Sequence, residues 1–193
     1  MSSFGTFLKV SFLSILLSSC GIQSIPQQLN EVEASWAEVQ NQYQRRSDLV
    51  PNLVNTVKGY AKHESETLQN VIEARAAATQ IKFDAKDLNE ANLKKFQAAQ
   101  GSLGSALGRL LAVSENYPNL KADQQFRDLQ VQLEGTENRI AVARNNYIES
   151  VKRFNNLVTV FPTSITNSLM FKHEKKAQFS VSEEATKNPE VSF

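Results

Sequence analysis

Apolar side chains step along this chain by three and four residues, the spacing that gathers them onto one face of a helix. Leu29, Val32, Trp36, Val39 and Tyr43 begin the pattern, and Val50, Leu53, Val57, Tyr60, Leu68 and Val71 carry it onward. Leu93, Phe96, Leu103, Leu107 and Leu110 form a second stripe. A third runs through Phe126, Leu129, Leu133, Ile140, Ala143, Tyr147, Val151, Phe154 and Val158. With 7 glycines and 5 prolines in 193 residues, breakers are too scarce to cut these stripes into short elements. The expected fold is all-α, one domain built as an elongated antiparallel bundle of long amphipathic helices.

The punctuation predicts where the helices end. Pro51 lacks an amide donor and biases Val50 away from helical angles, while Asp48 can cap a new helix. The preserved phase of the stripe favours a kink over 47–51, and the capping chemistry favours a turn. Residues 81–92 are polar and non-periodic, which reads as a connection. Asn116-Tyr-Pro-Asn119 and Phe161-Pro162 close the second and third stripes. A helix from Asp123 to Thr159 would run about 55 Å at 1.5 Å per residue. Gly101, Gly104 and Gly108 share one side of the second helix, which predicts close approach of a neighbour, a mobile segment being the alternative. Residues 163–193 read as a short helix followed by an extended tail.

The N-terminus carries an address. Lys9, a short apolar run over 10–17 and small residues Ser18-Ser19 read as a signal peptide spanning 1–19. The run falls well short of the roughly 20 residues that a membrane-spanning helix needs. The chain's single cysteine, Cys20, follows immediately, so no internal disulfide can form. Leu17-Ser18-Ser19-Cys20 resembles the bacterial lipobox, whose cysteine takes a diacylglycerol and becomes the new N-terminus. Residues 20–28 then read as a lipidated end and spacer, and Gly21, where no Asp stands, leaves the outer membrane open as a destination beside the cell membrane.

Chemistry is sparse elsewhere. A net charge of +1 and a near-neutral isoelectric point argue against nucleic acid as a partner. His63-Glu-Ser-Glu-Thr67 resembles a zinc helix until Thr67 stands where the second histidine belongs. Gly101 to Gly108 lacks the Lys-Ser/Thr of a phosphate loop, and no Gly-x-Ser-x-Gly elbow occurs. No catalytic residue, metal ligand or cofactor site is assigned. The polar residues singled out are Arg45, Arg46, Asp48, Asn52, Glu64, Glu115, Glu137 and Arg144, as caps, ion pairs or a partner-binding surface. Arg46 falls on or beside the apolar stripe, where a buried guanidinium would need a carboxylate.

Gln44-Arg-Arg-Ser-Asp-Leu-Val-Pro-Asn-Leu-Val54, continued by Thr56-Val-Lys-Gly-Tyr-Ala-Lys-His-Glu64, closely resembles the signature of the bacterial LemA family. Glu115 to Leu120, Phe126 to Leu129, Thr136 to Ile140, Ala143-Arg144 and Phe161-Pro162 follow the same family in the same order. The resemblance implies an antiparallel four-helix bundle over 29–162, which tips 47–51 toward a turn. It also implies an N-terminal membrane tether and no established enzymatic activity, with one branch associated with magnetosome formation. Two departures stand out. A lipobox replaces the usual spanning helix, and Ile148 replaces the Asn that usually follows Tyr147.

The expected protein is therefore a non-enzymatic envelope lipoprotein, extracytoplasmic, attached to lipid through Cys20 and acting as an interaction or scaffold protein with an envelope partner. An accessory subunit regulating an envelope enzyme, such as a membrane protease, is the alternative. A small-molecule binder or hydrolase with an unrecognised site is a third reading, which a pocket of convergent polar groups would favour.

Overall fold

The computed structural model describes residues 22–61 and 63–179. Four principal helices make the bundle: α1 (Ser24–Tyr60), α2 (Ser65–Gln80), α3 (Glu90–Val113) and, after the single turn α4 (Pro118–Ala122), α5 (Gln124–Thr159). A last short turn, α6 (Thr163–Thr166), leads into a π-helical turn, Asn167–Phe171. Among the described residues there is no strand, so the all-α bundle stands.

The two longest helices, α1 with 37 residues and α5 with 36, lie antiparallel and make the bundle's most extensive contact. Each runs about 55 Å at 1.5 Å per residue. Local chemistry sets their ends. Asp123 caps α5 by accepting from the Phe126 amide at 2.9 Å, and Asn89 caps α3 by accepting from Asn92 at 2.8 Å. The Tyr60 hydroxyl also donates to Asp123, at 2.9 Å, so the end of α1 is tied to the start of α5. Those donors hold the Asp123 carboxyl below its ordinary pKa.

α1 departs from expectation at both margins of its stripe. It starts at Ser24, inside the segment read as a spacer, because Ile25 is fully buried in the core. It also runs unbroken through Pro51, so the expected turn at 47–51 is not there. A proline inside a helix frees the carbonyl four residues earlier. Here that carbonyl belongs to Ser47, and Arg75 of α2 donates its Nε to it at 2.8 Å. A neighbouring helix thus supplies the hydrogen bond that Pro51 cannot make. Arg75→Met should accordingly cost about 1.5–3 kcal/mol, the scale of a hydrogen bond from a charged donor. In a Pro51→Ala background the restored amide can serve Ser47, and the same change should cost less than half as much. A double-mutant cycle by urea denaturation measures the difference.

The glycine expectation also needs correcting. A Cβ built on Gly101 or Gly108 meets nothing within 4 Å, and one on Gly104 meets only Arg46 Nη1 at 3.7 Å. These are open or ordinary contacts, so the close approach of a neighbouring helix expected on that face is not there.

The core falls into two apolar clusters stacked along the bundle. The upper one joins all four helices through residues such as Leu53, Val71, Leu103, Leu110, Phe126 and Leu133. α2 is too short to reach the lower half. There its place beside α1, α3 and α5 is taken by irregular chain, the connection 81–89 and the extended segment 172–179. Phe179, Leu88 and Phe83 pack against Trp36, Phe96, Tyr147 and Phe154. Asn155 holds the extended segment by two hydrogen bonds with the Lys176 backbone, 2.8 and 3.0 Å, and Tyr147 donates to the Ala177 carbonyl at 2.8 Å.

Candidate functional site

Between the two clusters lies a layer of polar side chains, and it is the one place where functional candidates converge. The stripe of α1 passes from Tyr43 to Val50, that of α3 from Phe96 to Leu103 and that of α5 from Leu133 to Ile140. Each interval holds a buried polar residue at the core spacing: Arg46, Gln100 and Thr136. Arg46 is 4% exposed. Its Nη1 donates to Glu137 Oε1 at 2.8 Å, and its Nη2 donates to both the carbonyl and Oε1 of Gln100, at 2.9 and 2.8 Å. Gln100 Nε2 in turn donates to the Ala78 carbonyl of α2 at 3.2 Å. One connected network therefore ties α5, α1, α3 and α2 together.

The guanidinium of Arg46 also lies over the Tyr43 ring, 5.0 Å from its centroid. Arg144 continues the cluster downward. Its guanidinium covers the face of Phe179 at 4.7 Å. Burial pushes the Tyr43 hydroxyl above its ordinary pKa, and the two guanidiniums, Arg144 before Arg46, pull it back. Tyr43 is thus a neutral phenol between two cations. Among the described residues, the buried Nε of Arg46 and of Arg144 have no hydrogen-bond partner.

Of the eight polar candidates, the structure brings Arg46, Glu137 and Arg144 together. The others are scattered. Asp48 is exposed and accepts from Gln44 within α1 at 2.8 Å, and Arg45 and Asn52 are exposed on the same helix. Glu64 precedes α2 and accepts from the Tyr117 hydroxyl at 3.2 Å, and Glu115 is exposed in the turn after α3. Tyr43, Arg75 and Gln100 were not among the candidates. Gln100 had a signal, since it occupies the step between Phe96 and Leu103 where an apolar residue would fit. Cys20 lies outside the described residues.

An open groove flanks the layer between α1, α2 and the start of α3, lined in part by Tyr43, Ser47, Thr79, Lys82, Phe96 and Gln100. Its polar atoms are largely occupied. Thr79 donates to carbonyls of its own helix, and Gln100 is bonded on both sides of its amide. Chemically the arrangement is a structural ion-pair layer with one carboxylate facing water.

Of the residues that resemble LemA, Gln44 to Val54, Thr136 to Ile140 and Ala143-Arg144 run through this layer. A model of the LemA family matches residues 35–193. The chain belongs to the LemA family. Among its relatives is magnetosome protein MamQ of Magnetospirillum gryphiswaldense, 27% identical over 68% of this chain and 55% of that protein. Magnetosome protein MamQ 2 of Paramagnetospirillum magneticum is 35% identical over 36% of this chain and 25% of its own length. Protein LemA of Metamycoplasma hominis is 24% identical over 70% of this chain and 58% of that protein. The chain thus spans from a quarter to under two thirds of the relatives it matches.

Proposed function

We propose that this LemA-family protein is a non-enzymatic envelope lipoprotein, held to a membrane by acyl chains on Cys20 and acting through protein contacts as an interaction or scaffold element. The observation that carries the reading is the lipobox, Leu17 to Cys20, directly ahead of a rigid helical body that begins at Ser24. No described helix is long and apolar enough to cross a membrane. Two further facts support the reading. The buried guanidinium of Arg46 is engaged by Glu137 and Gln100 rather than aimed at a cleft, and the relatives include proteins named for the magnetosome.

The test is on the cysteine. In a bacterium that processes lipoproteins, labelled palmitate should enter the wild-type protein and not Cys20→Ala, and mass spectrometry should find the mature N-terminus at Cys20. Acyl chains contribute about 0.8 kcal/mol per buried methylene, so two or more hold the protein stably. A wild-type protein free of lipid, or one retaining Met1, would refute the anchor. Cross-linking in intact envelopes addresses the role, since a single stoichiometric enzyme partner would favour the accessory-subunit reading instead.

A further inference from the structure

The lower end of the bundle exposes an apolar surface that the fold does not use. Phe161 and Leu169 are each 75% exposed, Met170 60%, Ile165 51% and Ile22 43%. They line one shallow groove with Pro162, where the turn after α5 meets the start of α1. Single exposed apolar residues are ordinary, but a contiguous group of this kind marks a contact surface.

Three observations identify what it contacts. First, Ile22 is itself part of the groove, two residues from Cys20, so whatever Cys20 is attached to lies beside this surface. Second, no residue lining the groove is ionisable, and none occurs over residues 21–30 or 154–171. Third, two of the hydroxyls beside the groove are internally satisfied. Thr163 donates to the Leu157 and Val160 carbonyls at 2.6 and 3.1 Å, and Ser168 donates to the Ile165 carbonyl at 2.9 Å. An apolar surface without charge, and with few polar groups to desolvate, can leave water at little cost. Exposed Lys172 follows at its edge, where a long cationic side chain can reach headgroups.

We infer that this end of the bundle, Ile22, Phe161, Ile165, Leu169 and Met170, seats in the interfacial region of the lipid bilayer to which Cys20 is anchored. The inference rests on the proposed lipidation and deepens it: the protein stands end-on upon the membrane instead of swinging on a flexible tether. Interfacial elements of this type enter about 5–10 Å into the headgroup and acyl boundary.

The mature lipoprotein in phosphatidylcholine vesicles tests it. With Cys20 acylated, a cysteine introduced as Leu169→Cys is the one free thiol and takes an environment-sensitive fluorophore. Val131→Cys, exposed on α5 and about 40 Å farther up at 1.5 Å per residue, is the control. Lipids carrying a quencher in the upper acyl chain should quench the Leu169 label several-fold more than the Val131 label. Adding Phe161→Ser and Ile165→Ser should return quenching to the control level without changing the thermal unfolding midpoint. Equal quenching at both labels would overturn the docking, as would disulfide-linked dimers of the unlabelled Leu169→Cys protein, formed under an added oxidant, together with an unquenched label on the labelled protein, which would make a second copy the occupant. Palmitate incorporation and the N-terminal mass report on the anchor separately, so either claim can fail while the other holds.

Discussion

Trp36→Ala should lower the unfolding free energy by about 4 kcal/mol, the middle of the range for removing a buried aromatic. Trp36 is 1% exposed, and its ring meets those of Phe96, Tyr147 and Phe179 at centroid distances of 5.1, 5.4 and 6.2 Å. Those three rings come from α3, α5 and the extended segment, so one side chain joins everything that encloses the lower core. Its Nε1 donates to the Phe83 carbonyl at 2.8 Å. Gln40 Nε2 donates to the same carbonyl at 2.8 Å, so the substitution leaves no orphaned acceptor. The cost is therefore one of cavity and lost ring contacts. Trp36→Phe keeps much of that packing and should cost about 1–2 kcal/mol, the range for partial core truncation. Urea denaturation followed by circular dichroism measures both. A loss below about 1.5 kcal/mol for the alanine variant would mean that the lower core rests on α1 and α5 alone.

Much of this architecture can be read from periodicity because it depends on residues near one another in sequence. The third stripe predicts α5 to within a residue, and the first predicts which face of α1 is buried over most of its length. The readings fail where the deciding partner lies elsewhere in the chain. Pro51 looks like a helix end until Arg75, on the next helix, supplies a donor to Ser47. Gly101, Gly104 and Gly108 look like a packing face, but spacing alone does not say whether a neighbour faces them. Residues 172–179 have no helical period to betray them. They are nonetheless held in the core through Phe179, Asn155 and Tyr147. At the polar layer the stripe marks Arg46 as anomalous and requires a carboxylate. It cannot choose among the chain's many acidic residues, and Glu137 is selected only by the antiparallel register of α1 and α5.

That pairing should be asymmetric under mutation. Arg46 is 4% exposed while the Glu137 side chain is 52% exposed, so the two ends of the ion pair differ in what happens when the partner is removed. Glu137→Ala leaves a buried guanidinium with Gln100 as its remaining acceptor. Breaking a fully buried pair costs about 3–5 kcal/mol, and water reaching the vacated half-exposed site reduces this to about 2–3 kcal/mol. Glu137→Gln keeps an acceptor without the charge and should fall between the alanine variant and the wild type. Arg46→Met removes the buried charge itself. The unbranched thioether can follow the path of the arginine stem, Glu137 rehydrates, and the Gln100 amide still donates to Ala78. The net change should be a loss of about 1–2 kcal/mol, because replacing a buried ion by an apolar side chain is often neutral but here leaves the buried Gln100 Oε1 without its donor. In the Arg46→Met background, Glu137→Ala should then cost almost nothing, as there is no longer a cation to strand. The cycle among wild type, Arg46→Met, Glu137→Ala and the double variant isolates this coupling by denaturant unfolding. If Arg46→Met proved the more damaging single change, the layer would be held by the guanidinium's hydrogen bonds to Gln100 and its contact with Tyr43, with charge pairing secondary.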